Sequence, residues 1–99
     1  MQVSFTSKNI LLTDGLKNFI TSRVGKLSKY SSKQLSRVQI ILDVDRRKKG
    51  KSEDAMVEIV GDIQGKHIIV RENGDSFYKA FFGAVKKMKT RLVKSRKKM

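Results

Sequence analysis

Polar and apolar residues alternate at the start of the chain. Over 2–6, Val3 and Phe5 share one side and Gln2, Ser4 and Thr6 the other, the period-two pattern of a half-buried strand. From 14 to 28 the period changes. Leu16, Phe19, Ile20, Val24 and Leu27 recur at helical spacing, with Lys17, Arg23, Lys26 and Lys29 on the outer side. Thr13 is placed to cap this helix, and Asp14 falls in its first turn, where the helix dipole favours a carboxylate. Tyr30, Ser31, Ser32 and Lys33 lead out through a polar connection. Alternation returns over 37–45, with Val38, Ile40, Leu42 and Val44 on one face. Arg46, Arg47, Lys48, Lys49, Gly50 and Lys51 interrupt it before Ala55, Val57 and Ile59 resume it, which predicts a hairpin with a basic tip. Residues 61–65 read as the next turn, 66–71 as a fourth strand with Ile68 and Val70 on one face, and Asn73 and Gly74 as the turn into a last helix capped by Asp75 or Ser76. Along that helix Phe77, Ala80, Phe81, Ala84, Val85, Met88 and Leu92 form a single stripe.

The order is therefore β-α-β-β-β-α. The first helix connects two parallel strands by a right-handed crossover, and strands two to four form an antiparallel meander. Each helix has one apolar stripe and each strand one apolar face. The architecture that buries all of them is an α+β two-layer sandwich, a four-stranded mixed sheet with both helices on one face. The other sheet face is left to solvent or a partner. A last helix spanning 76–98 measures about 35 Å at 1.5 Å per residue, so its first four turns are expected to close the sheet and its basic end, from Lys86 onward, to overhang it.

Composition agrees with a single domain. The chain has 99 residues, 38% of them hydrophobic and 32% charged, with a mean hydropathy of −0.42, enough periodic apolar residues for one core. No Cys is present, so there is no disulfide framework or thiolate metal site, which fits a reducing, cytoplasmic setting. No leader pattern or long apolar run is visible, and no membrane partner is expected.

Charge changes the picture more. The net charge is +14, and residues 75–99 carry nine Lys or Arg against one Asp, +8 of that total. An ordinary solvated helix face mixes signs, yet eight of the thirteen residues over 86–98 are cationic and none is anionic. The natural partner is a polyanion, with affinity drawn from phosphate neutralisation. The candidate contacts are Lys86, Lys87, Lys89, Arg91, Lys94, Arg96 and Lys97 on the last helix, Arg46, Arg47, Lys48, Lys49 and Lys51 at the hairpin tip, and Arg23, Lys26 and Lys29 on the first helix. Lys87 and Lys94 are the first choices. Both lie outside the stripe, so reversing their charges is expected to weaken binding and leave folding intact. Phe82, near the outward side, reads as an edge-of-core aromatic or a platform for a base. His67 is the only histidine and has no partner set for a metal, so no metal or cofactor is expected. Asp43 and Asp45 share a strand face, but no nucleophile elbow or phosphate-cradling glycine loop accompanies them, and an enzyme is not expected.

Two further patterns resemble a family. Thr13, Leu16, Phe19, Lys26, Leu27 and Tyr30, followed by Gly74, Tyr78, Ala80, Phe81, Lys87, Met88 and Leu92, are similar to the signatures of bacterial ribosome hibernation-promoting factors of the short form, related to ribosome-associated inhibitor A. The likeness covers essentially the whole chain. It implies the β-α-β-β-β-α fold and a non-enzymatic factor on the small ribosomal subunit that contacts rRNA near the decoding site and blocks mRNA and tRNA sites. It also implies hibernating ribosomes, paired with help from a second small factor. Long members add a dimerising domain, whereas this chain stops after the basic helix and is expected to form one ribosome-binding domain over 1–99 without self-dimerisation. Phe82 and Thr90 depart from the family, which commonly has Asp and Arg there, and no role carries over to them. A generic structured-RNA binder or constitutive ribosomal protein remains the alternative, with an acidic membrane surface ranked last because the apolar stripe is needed for the core.

Overall fold

Thr13 and Ser76 start the two helices of the computed structural model, which describes residues 2–8, 11–27, 35–45, 54–63 and 65–97. Thr13 Oγ1 accepts the Leu16 N–H at 3.2 Å, and Ser76 Oγ accepts the Lys79 N–H at 3.2 Å. Each satisfies a donor that the first helical turn leaves without an intrahelical acceptor. The element order is β1 (Gln2–Lys8), α1 (Asp14–Gly25), β2 (Arg37–Asp45), β3 (Asp54–Ile63), β4 (Lys66–Gly74) and α2 (Phe77–Lys97). The strands form one sheet in the order β1-β2-β3-β4. β1 lies parallel to β2, Val3 beside Val38, and the β2–β3 and β3–β4 pairs are antiparallel. This is the expected two-layer sandwich.

Both helices bury their stripes on one sheet face. Ile20 and Val24 of α1 and Ala80, Phe81, Ala84, Met88 and Leu92 of α2 close over Val38, Ile40, Leu42, Val57, Ile59 and Val70. Leu27 and Leu35 complete this core from either side of a connection outside the described residues.

Four boundaries differ from the sequence reading. β3 runs on to Ile63, so Gly61 belongs to a strand and not to the turn. A Cβ on Gly61 would come within 3.2 Å of Leu35 Cδ1 and 3.4 Å of Met88 Cε, so the missing side chain is what lets α2 approach. The turn itself uses Gly65, whose φ of 81° lies in the left-handed region. β4 likewise includes Asn73 and Gly74, the latter paired with Ala55. α1 stops at Gly25, and the Lys26 N–H reaches back to the carbonyls of Arg23 and Val24. Finally, α2 does not leave the body at Lys86, because Met88 and Leu92 are each only 1% exposed. Its 21 residues span about 32 Å, and the packed part reaches to Leu92.

Alternation sends the other side chains to the uncovered sheet face. Ser4, Gln39, Val60 and Ile69 make one cross-strand row, and Thr6, Ile41, Glu58 and Arg71 the next. Arg71 and Glu58 pair at 3.1 Å.

Candidate nucleic-acid interface

α1 and α2 advance in the same direction. Phe19 meets Tyr78 and Phe82, Arg23 meets Phe82, and Lys26 and Leu27 line a groove with Lys86 and Lys89 further along. Register therefore brings four candidate cations together, Arg23 and Lys26 from one helix with Lys86 and Lys89 from the other. Their groove has a volume of about 480 Å³, and its floor and walls are completed by Leu27, Phe81, Phe82, Gly83 and Val85. Among the described residues, no acidic side chain lines it. All four cationic residues are exposed, so an anion entering the groove meets charge on both walls and an apolar floor.

Arg23 is held in place. Its guanidinium carbon lies 5.3 Å from the centroid of Phe19 and 5.6 Å from that of Phe82. Both distances are within cation–π range. Of the two readings of Phe82, the packing bears out the edge-of-core one. It is an edge-of-core ring, set edge-on to Phe19 at 5.9 Å and tilted against Phe81 at 6.2 Å, and it also keeps an exposed part.

The other flank of α2 faces the free edge of β4. There Lys86, Lys87, Thr90 and Arg91 border a second groove of about 570 Å³ with Ile69, Val70 and Arg71. Lys87 is committed to the protein: its Nζ lies 3.2 Å from Glu72 Oε2 and donates to the Arg71 carbonyl at 3.1 Å. Arg91 Nη1 donates to the Ile69 carbonyl at 3.5 Å. Lys94 is exposed one turn beyond.

The remaining candidates divide by position. Arg96 and Lys97 lie in the last turn of α2, their side chains outside what is described. Lys29, Arg46, Arg47, Lys48, Lys49 and Lys51 lie outside the described residues altogether. The strand ends that flank the 46–53 segment, Asp45 and Asp54, are paired one row beyond Ala55 and Val44. That is the end of the sheet where α2 begins, since Gly74 packs against the Ala80 backbone, whereas Gly61, roughly 20 Å along β3, packs under Met88.

Comparison with known proteins gives this surface a context. The family described as Sigma 54 modulation protein / S30EA ribosomal protein matches residues 3–99. The chain belongs to this family. It is a family of ribosome-associated factors and not one of enzymes, as the paired signatures around Thr13 and Gly74 imply. Among curated relatives, the ribosome hibernation promoting factor of Escherichia coli K12 is 27% identical over 99 residues, all of this chain and 97% of the relative. That of Salmonella typhimurium LT2 is 26% identical with the same coverage. Two solved structures share the fold. The Thermus thermophilus Protein Y N-terminal domain superposes with a TM-score of 0.82 at 22% identity, covering 97% of this chain and all of that one. A ribosomal subunit interface protein from Coxiella burnetii gives 0.77 at 17% identity, over 96% and 97% of the two chains.

Among the described residues, no helix is long and apolar enough to cross a membrane. No group of three or more His, Cys, Asp or Glu side chains is placed to hold a metal ion.

Proposed function

We propose that this protein is a non-enzymatic, cytoplasmic silencer of translation. It binds the small ribosomal subunit through rRNA, occupies the decoding region so that mRNA and tRNA are excluded, and promotes ribosome hibernation. The whole chain acts as one binding domain, and a second small factor assists where ribosomes pair. The observation that carries this reading is the convergence of Arg23 and Lys26 with Lys86 and Lys89 on one groove with no acidic side chain among its described lining, in a chain of net charge +14.

The mechanism is steric. Phosphate neutralisation releases counterions and supplies affinity, and the bulk of the two-layer body blocks the channel. If about six phosphates are engaged, affinity falls by orders of magnitude between low and moderate salt. Sedimentation of the protein with ribosomes on sucrose gradients tests this. The expected result is co-migration with small subunits and whole ribosomes at low salt, loss with Lys86→Glu/Lys89→Glu, and displacement by mRNA and initiator tRNA. Failure of the unaltered protein to co-migrate at low salt overturns the proposal. Binding that mRNA and tRNA leave unchanged assigns it instead to a constitutive or generic RNA-binding role.

A further inference from the structure

The groove between the helices holds more than charge, because Phe82 lines it. Tyr78 and Phe82 stand one helical turn apart on α2 and are 52% and 47% exposed, a high value for aromatic rings in a chain with a complete core. Both rest on Phe19, which meets Tyr78 edge-on at 5.1 Å and Phe82 edge-on at 5.9 Å. Phe19 is itself packed on buried Phe81 at 5.8 Å. The exposed rings are thus fixed from below, and little side-chain entropy is left to lose on binding. Arg23 lies over both Phe19 and Phe82, adding a planar cation beside the ring.

Phosphate binding alone needs none of this. Lysines on a polar surface neutralise a backbone equally well, and an exposed phenyl ring on such a surface costs solubility. Exposed rings beside a guanidinium plane are the elements that hold unstacked bases in single-stranded RNA. Cations on both groove walls stand where the flanking phosphates of such a nucleotide would lie.

The geometry points to a nucleobase-stacking subsite at Phe82, with Tyr78 and Arg23 as its neighbours, that takes one unpaired base of single-stranded RNA while Lys86 and Lys89 hold the adjoining phosphates. It rests on the proposed rRNA-binding role and adds a specificity to it: this surface selects loops, bulges or single strands over regular duplex. An acidic peptide with an apolar anchor is the competing occupant, and the test separates the two.

The chain contains no Trp, so Phe82→Trp places a single indole at the subsite. Titration with a single-stranded octaribonucleotide is expected to quench its emission. Inorganic polyphosphate and an RNA duplex of matched charge are expected to bind without comparable quenching. Equal quenching by polyphosphate overturns the subsite, because charge alone then accounts for it. So does displacement of the octaribonucleotide by an acidic, phenylalanine-containing peptide at lower concentration than by competing single-stranded RNA. In parallel, Phe82→Leu keeps an apolar residue on the Phe19 ring and removes the stacking face. Its ribosome affinity is expected to fall about tenfold, within the range a lost base stack produces, with an unchanged salt dependence. Unaltered protein that binds ribosomes no better than Phe82→Leu overturns the subsite and leaves the rRNA-binding role standing. Unaltered protein that does not bind ribosomes at all removes that role, while the quenching comparison still decides whether Phe82 stacks a base.

Discussion

Lys87 Nζ lies 3.2 Å from Glu72 Oε2 and also donates to the carbonyl of Arg71 at 3.1 Å. One ammonium thereby joins the outer side of α2 to the free edge of β4. The edge matters because its outward carbonyls would otherwise be open to another strand, and a lysine laid across them discourages that pairing. Arg91 does the same for Ile69 one turn on. The expectation that Lys87 can be reversed without cost to the fold is therefore revised. Lys87→Glu puts two carboxylates where a bridge stood and leaves the Arg71 carbonyl to water. We expect a loss of about 0.5–1 kcal/mol, in keeping with a half-exposed pair, read as a drop of several degrees in Tm. Lys94→Glu is expected to leave Tm unchanged, and equal Tm for the two variants would refute the structural role of Lys87.

Gly83 is confined by the same carboxylate. A Cβ there would fall 2.6 Å from Glu72 Cγ and 3.0 Å from Oε2, so Gly83→Ala must displace Glu72 from Lys87 and from the Asn73 N–H, which it also accepts. Glycine inside a helix otherwise costs about 0.5–1 kcal/mol relative to alanine. Gly83→Ala is expected to destabilise the protein when Glu72 is present and to stabilise it by about that amount in a Glu72→Ala background. Urea denaturation of the four members of this cycle checks the reversal of sign.

Leu92 distinguishes a packed helix from an overhanging one. Its side chain is 1% exposed, two turns after the first residue of the basic stretch. Leu92→Ala is expected to cost about 2–5 kcal/mol, a large fraction of the stability of a domain this size, with the midpoint of urea unfolding lowered and its slope retained. A loss under about 1 kcal/mol would mean that α2 leaves the body before Leu92.

Element types were legible because periodicity is a local property: Val38 to Val44 alternates, and Ala80 to Leu92 follows the helical period. Thr13 and Ser76 announced their helices by side-chain chemistry. The errors cluster where a long-range contact overrides a local signal. Gly61, Asn73 and Gly74 have turn-forming chemistry, yet Gly61 and Gly74 are needed in strands because Met88 and the start of α2 come too close for a side chain. The candidate site divided the same way. That α2 is a cationic surface follows from composition, but the pairing of Arg23 with Phe82, and of Lys26 with Lys86 and Lys89, depends on the helices running in parallel. Nothing within one helix reports that. The tie of Lys87 to Glu72 was equally hidden, since the two residues are fifteen positions apart.

The salt dependence of ribosome binding should separate cations that meet phosphate from those that serve the fold. Each phosphate contact contributes roughly −0.7 to −0.9 to the slope of log K against log salt concentration. Lys86 lines the groove between the helices, so Lys86→Gln is expected to flatten the slope by about that increment. Lys87 already has Glu72 as its counter-charge, and binding phosphate would require it to leave both that carboxylate and the Arg71 carbonyl. Lys87→Gln should therefore change the slope by much less, even though sequence alone ranked it with Lys94 as a leading contact. Filter binding or sedimentation at four or more salt concentrations measures these slopes. An effect of Lys87→Gln equal to that of Lys86→Gln would mean that the Lys87–Glu72 bridge opens on the ribosome, and that the β4 edge belongs to the interface together with the groove between the helices.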